Sequence, residues 1–343
     1  MSGVLCCGNL VIDILVRPVD RFPWGTTTLV DSIEQHLGGN GASTSYTLGK
    51  VGTPVRLISM AGRDAFGDLA LSRLVSAGVD TQWIARSQAP TATTVVLVDS
   101  SGNRMFFHRL GASAEAFAEP VEFTPEVTRG MSHFHLASVF GLPKLRPHIA
   151  DLLRRAREAG LATSVDTQWD TLGRWMEDLA PCLPYTDLLF MNEDEARMLT
   201  GTSDPAGAAG VMQEHGARTV VVKLSGRGCA VFGPGVAIEC PAFDVPVVDT
   251  TGAGDCFAGA FLASRLRDRS YAEAAKFANA AGALVIQQLG AVEGVRSYEE
   301  TEEWMRSARL TDRFQGGLHP REQEPAQCGE LRRQNRDERQ PPE

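Results

Sequence analysis

Leu188–Leu224 reads LLFMNEDEARMLTGTSDPAGAAGVMQEHGARTVVVKL, and it decides the fold. Its two ends, Leu188–Met191 and Thr219–Leu224, are mostly apolar runs of strand length, the first bounded by Asp187 and Asn192. Between them Ala206–His215 has helical character. A buried strand that returns to a buried strand through a helix needs a crossover, and crossovers build parallel sheets covered on both faces. The same alternation extends outward. Val4–Ile12, Val55–Met60 and Ala162–Asp166 read as further buried strands, and Phe66–Ser76 and Leu145–Ala159 as helices. The pattern predicts an α/β fold with a doubly wound, mostly parallel sheet.

Two segments interrupt the alternation. Leu15–Leu37 contains Pro18 and Pro23 and a Thr26–Val30 stretch without helical period. Thr93–Arg109 reads as a hairpin, with Ser100-Ser101-Gly102-Asn103 as its turn. Together they predict a small antiparallel sheet, from about 14–37 and 92–111, inserted in a domain of residues 1–310. From Thr311 onward Gln, Arg, Glu and Pro dominate, so 311–343 is expected to be a disordered polar tail.

Composition narrows the function. Among 343 residues, 33 Lys and Arg stand against 42 Asp and Glu, a net charge of −9. A nucleic-acid binder or a membrane-surface binder would carry a basic footprint instead. No apolar run approaches the ~18 residues of a membrane span. Asp13 interrupts the N-terminal apolar run, which lacks a basic lead, so a secretory signal is not expected. Seven irregularly spaced cysteines without a C-x-x-C point to a reducing cytoplasm rather than disulfides or zinc.

The stretch that carries chemistry is Val247–Ala260, VVDTTGAGDCFAGA. It is expected to run from a strand end through a glycine turn into a helix reaching about Leu266. Gly252, Ala253 and Gly254 would bring three backbone N–H groups to a helix N-terminus with almost no side-chain bulk, a ready anion site. A carboxylate is a poor phosphate ligand, so Asp255 beside such a site suggests another role. It could accept the proton of a hydroxyl that attacks phosphorus. An ordinary N-terminal acid is the plainer reading of G-x-G-D alone. Neither Gly-Lys-Ser/Thr nor G-x-G-x-x-G is present here.

Asp249-Thr250-Thr251-Gly252-Ala253-Gly254-Asp255, with Gly38-Gly39-Asn40-Gly41-Ala42 earlier in the chain, resembles the two signatures of the ribokinase-like (PfkB) carbohydrate kinases. The resemblance spans roughly residues 3–308. It implies a Rossmann-like domain with a β-sheet lid, Asp255 as catalytic base, and residues 252–254 as the anion hole for the γ-phosphoryl group of ATP.

Further positions follow from it. Asp13, expected to end the first strand at the carboxyl edge of the sheet, matches a substrate-binding position and can accept two sugar hydroxyls. Gly39 and Asn40 are implied to close on the same sugar, with Ser43 and Arg104 as further substrate-binding positions. Asn192-Glu193-Asp194-Glu195 resembles the family N-x-x-E motif, which implies Asn192 and Glu195 in organising Mg²⁺ through waters. By themselves these residues read as a capped helix start. Lys223-Leu224-Ser225-Gly226-Arg227-Gly228 resembles the nucleotide-side loop, with Ser225 where glycine is frequent. Asn279, on a helix expected over Tyr271–Gln288, matches a position facing adenine. Asp249, Thr251 and the loop near Gly290-Ala291 match a K⁺ site, although Val292-Glu293-Gly294-Val295 departs from the usual ending. Gly62-Arg63-Asp64-x-x-Gly67 also fits the family, and Cys256 replaces a residue that is often Thr.

Departures bear on the substrate. Ribokinases have Asn where this chain has Val11 and again where it has Ser43, and His135-Leu136-Ala137-Ser138 lacks their sugar-binding acid. The opening VLCCGNLVID, the GGN and Gly102-Asn103-Arg104 resemble ketohexose kinases, although Ser43 departs from those too. Arg104, His108 and Arg109 keep an acidic sugar in view, but Asp166-Thr167-Gln168-Trp169-Asp170 lacks the D-x-N-x-R common in kinases of sugar acids and fructose. Asn40 in place of Lys favours an unphosphorylated sugar. The expectation is an ATP-dependent kinase acting on a hydroxymethyl group of a small sugar. A nucleoside kinase and a non-catalytic sugar- or nucleotide-sensing module are the alternatives. The resemblance also implies possible pairing of two copies through the lid.

Overall fold

The computed structural model describes residues 2–21 and 23–311. The predicted tail therefore lies, but for Thr311, outside the described residues. Fourteen strands are described: β1 (Gly3–Cys7), β2 (Val11–Arg17), β3 (Ser32–Gly38), β4 (Val55–Gly62), β5 (Val79–Asp80), β6 (Ile84–Ser87), β7 (Ala92–Val98), β8 (Arg104–Arg109), β9 (Met131–Leu136), β10 (Ala162–Asp166), β11 (Leu188–Asn192), β12 (Thr219–Lys223), β13 (Cys229–Gly233) and β14 (Val236–Cys240). The large sheet runs β14-β13-β12-β11-β10-β9-β1-β4-β5, with β6 also paired to β4. It is parallel from β12 to β5, and β13 and β14 are antiparallel. The α/β expectation is met.

Period-two alternation places the core on both sheet faces. In β1, Val4 and Cys6 join one apolar cluster, while Leu5 and Cys7 join another. The first cluster includes Phe257, Phe261 and Phe277, from the helices Ala253–Arg265 and Tyr271–Val285. The second includes Leu152, Leu199 and Met212, from the helices Ile149–Glu158, Glu193–Thr200 and Pro205–Glu214.

The expected strand Val4–Ile12 is in fact two strands in two sheets. At Gly8 the chain passes so near the helix Asn40–Lys50 that a Cβ there would lie 2.7 Å from the Gly41 Cα. Beyond Leu10 it enters a separate sheet ordered β3-β2-β7-β8, the lid. Asp13 therefore sits within lid strand β2 and not at the end of a core strand. The two insertions supply all four lid strands, but the sheet is not wholly antiparallel, because its central pair β2–β7 is parallel. The β7–β8 turn has Gly102 at φ 85, and Asp99 accepts the N–H groups of Ser101 and Asn103.

Candidate active site

Five parallel strands of the large sheet end along one edge, and polar residues sit at or just beyond their carboxyl ends: Asn9 after β1, Ser138 after β9, Asp166 on β10, Asn192 on β11 and Lys223 on β12. The winding direction reverses between β1 and β9, the place where open α/β sheets leave a crevice. There the Ser138 hydroxyl donates to Asn9 Oδ1 at 2.8 Å and lies 3.4 Å from Asn40 Oδ1.

Two helix N-termini close on this edge. Gly39, at φ 89, caps the helix Asn40–Lys50, so Asn40 stands in its first turn. Gly252, at φ 74, caps the helix Ala253–Arg265, and a Cβ on Gly252 would lie 2.3 Å from the Ala291 carbonyl. Only glycine suits that conformation and that approach. The expected strand end at Val247–Val248 is absent. Both side chains are exposed and the segment is a loop, with Val248 and Asp249 donating their N–H groups to the Ile286 carbonyl.

Asn40 Nδ2 donates to Asp255 Oδ1 at 2.8 Å, which joins the two glycine signatures directly. Burial raises the Asp255 pKa, while the Asn40 hydrogen bond and the Lys223 charge act against the rise. Lys223 Nζ lies where a Cβ on Gly254 would approach it to 3.2 Å, and it pairs with Asp166 Oδ1 at 2.7 Å. Burial pushes Asp166 up to about 7 despite that partner. Its Oδ2 is buried without a hydrogen-bond partner among the described residues. Asp166 was not singled out from the sequence. The available signal was its place at the end of a buried strand, the same place that Asn192 and Lys223 occupy on the neighbouring strands.

The remaining candidates divide between the two sides of this centre. Asn192 and Glu195 form a reciprocal capping box, and Glu195 Oε2 also accepts from Thr167. Ser225 opens a short 3-10 turn at φ 52, a conformation that explains why glycine suits this position. Gly226 faces open space, while a Cβ on Gly228 would lie 2.0 Å from the Cys240 carbonyl. Asn279 spends its amide donors on the Cys240 and Pro241 carbonyls, both at 3.0 Å. Asp13 is 9% exposed, close enough to Asp249 and Asp255 to feel their charge. Ser43 is fully buried and not open to the cleft. Asp64 of the G-R-D segment caps a helix and accepts from the Thr91 N–H and hydroxyl. Arg104, at the start of β8, reaches Asp249 and Thr251 rather than Asp13.

Residues 1–297 match the pfkB family carbohydrate kinases. The chain belongs to that family. An ATP-dependent ribose-1-phosphate kinase from Halopiger xanaduensis is 34% identical over 297 residues, covering 85% of this chain and 94% of that protein. Fructokinase-2 of Oryza sativa subsp. japonica is 26% identical over 287 residues, covering 79% and 85% respectively. The structure of Arabidopsis thaliana ribokinase complexed with ribose and ATP superposes with a TM-score of 0.79 at 25% identity, covering 89% of this chain and 99% of that one. This pfkB-family chain is thus an ATP-dependent carbohydrate kinase, with the family's α/β domain and lid. Among the described residues no helix is long and apolar enough to cross a membrane.

Proposed function

We propose that the chain transfers the γ-phosphoryl group of ATP to a hydroxymethyl group of a small, unphosphorylated sugar, with Asp255 as general base. The observation that carries this reading is the Asn40–Asp255 contact of 2.8 Å at the mouth of the Gly252–Gly254 turn. Asn40 fixes the carboxylate so that a sugar hydroxyl can give up its proton as its oxygen attacks phosphorus. The N–H groups of the turn and Lys223 Nζ accept the charge that builds on the moving phosphoryl oxygens. Asp13, Gly39 and Asn40 bind the sugar. Asn192, Lys223 and the Ser225–Gly228 turn lie on the nucleotide side, with Asn279 holding the backbone against which adenine rests.

The oxygen-only donors fit hydrated Mg²⁺, and Asp166 Oδ2 is an orphaned acceptor beside them. Asn192 and Glu195 would hold its water shell, and the ion supplies charge neutralisation on the phosphates. Lys223 and Arg104 each already match a carboxylate, Asp166 and Asp249, which favours a sugar without its own phosphate. The 34% identity to a ribose-1-phosphate kinase favours a second reading, a sugar 1-phosphate.

The test is ADP release with Mg²⁺ and ATP across ketohexoses, pentoses, sugar acids, nucleosides and ribose 1-phosphate. A neutral sugar should give the highest kcat/KM. Asp255→Asn should lower kcat by about 10²–10⁴-fold with sugar affinity little changed. Near-native turnover in that variant would remove the base assignment. Saturable binding without ADP release for every compound would point to a sensing module instead.

A further inference from the structure

The resemblance implies a monovalent cation at Asp249, Thr251 and the loop near Gly290-Ala291. In this chain that donor set is already engaged. The Asp249 side chain is 2% exposed. Its Oδ1 accepts the Thr251 N–H at 2.8 Å and pairs with Arg104 Nη1 at 2.8 Å, and its Oδ2 accepts the Gly290 N–H at 3.0 Å. The same Nη1 donates to Thr251 Oγ1 at 3.0 Å. The Ala291 carbonyl accepts from the Cys256 thiol at 3.3 Å. An incoming K⁺ would meet a carboxylate whose charge is matched and oxygens that already have donors, so the group does not fit.

We propose that Arg104 is a built-in replacement for the monovalent cation, carried on the lid and seated on Asp249 and Thr251. A buried carboxylate left without a counter-charge is strongly unfavourable. A guanidinium cannot be deprotonated and is more weakly hydrated than an ammonium, so it suits the role. Access is open, since a cavity of about 570 Å³ lined by Leu15, Arg17, Val98, Arg104, Asp249 and Leu289 reaches the pair. A solvated ion could arrive there, and only the prior occupancy keeps it out. The residue also has a positioning role. Thr251 adjoins Gly252, so a lid seated through Arg104 fixes the stretch that leads into the N–H turn. This role in turnover rests on the kinase reading, while the prediction for ion binding does not.

The test compares wild type and Arg104→Met in K⁺, Na⁺ and choline at equal ionic strength, by turnover and by melting temperature. Wild type should change turnover by less than about twofold between the ions, with no K⁺-specific rise in melting temperature. Arg104→Met should lose about tenfold or more in turnover in choline, recover part of it in K⁺, and gain a K⁺-specific thermal shift. Turnover of the wild type that rises more than about twofold with K⁺, or a K⁺-specific stabilisation of the wild type, would overturn the proposal. So would a folded Arg104→Met that is indifferent to K⁺. If that variant fails to fold, the wild-type comparison decides alone. If no sugar is phosphorylated, the melting data still decide the ion question while the kinase reading falls.

Discussion

Asp13 lies in the lid with 9% of its surface exposed, and burial raises its pKa from 3.8 to about 6, against the Thr94 hydrogen bond and the His36 charge. A raised carboxylate stabilises the fold when protonated. That contribution is complete below about pH 4 and is lost as pH rises through about 6, because over this window the folded chain holds more protons than the unfolded one. Asp13→Asn should therefore melt higher than wild type at pH 7.5 and flatten the dependence of melting temperature on pH between about 4 and 6. Its sugar KM should rise. A scanning-fluorimetry series that leaves the slope unchanged would count against burial as the cause. Lys223 and Asp166 behave differently, since each is the other's only ion-pair partner among the described residues. Lys223→Met leaves a buried carboxylate alone, a loss of about 3–5 kcal/mol in urea unfolding, with a fall in kcat/KM for ATP. The residues that were hard to read from the sequence share one trait. Asn9, Ser138 and Asp166 stand in stretches that bear on the substrate but were given no role of their own, and their partners lie far along the chain, so proximity exists only after the strands align.

The strands β11 and β12 were legible because their residues are buried on both faces, which gives the short apolar runs LLFM and VVV. β9 was not, because MSHFHL carries two histidines into the interior. His133 Nε2 and His135 Nδ1 both lie 2.7 Å from the Ser164 hydroxyl on β10, and this private network hides a core strand behind polar letters. The glycine turn tests the same logic at the level of a helix start. Gly252→Ala would force a positive φ on a side chain that also meets the Ala291 carbonyl, so a melt should fall by several degrees and turnover should vanish. Gly210, mid-helix in Pro205–Glu214 with open space at its Cβ, is the control. Gly210→Ala should be stabilising by about 0.5–1 kcal/mol with activity intact.

Among the described residues the lid carries a cluster of uncovered apolar side chains. In β8 every residue but Arg104 is exposed, including Met105, Phe106 and Phe107, and Ile33 of β3 is 66% exposed. Adjacent residues on a strand point to opposite faces, so apolar side chains stand uncovered on both sides of the lid. β3 and β8 are also its unpaired edges. A second copy of the chain pairing there is the expected cover. Light scattering should return a dimer mass at micromolar concentration, and Phe106→Asp should shift it to the monomer. A monomer mass for wild type at every concentration tested would remove that expectation.

Only Gly8, Asn9 and Leu10 separate β1 of the large sheet from β2 of the lid, and Asn9 is tied to Ser138 at the cleft floor. The joint between cover and cradle is therefore built into the cradle itself. A ligand that touched Asn9 or Ser138 would bear directly on that joint, so filling the cradle is expected to protect the amides of residues 8–10 from hydrogen exchange.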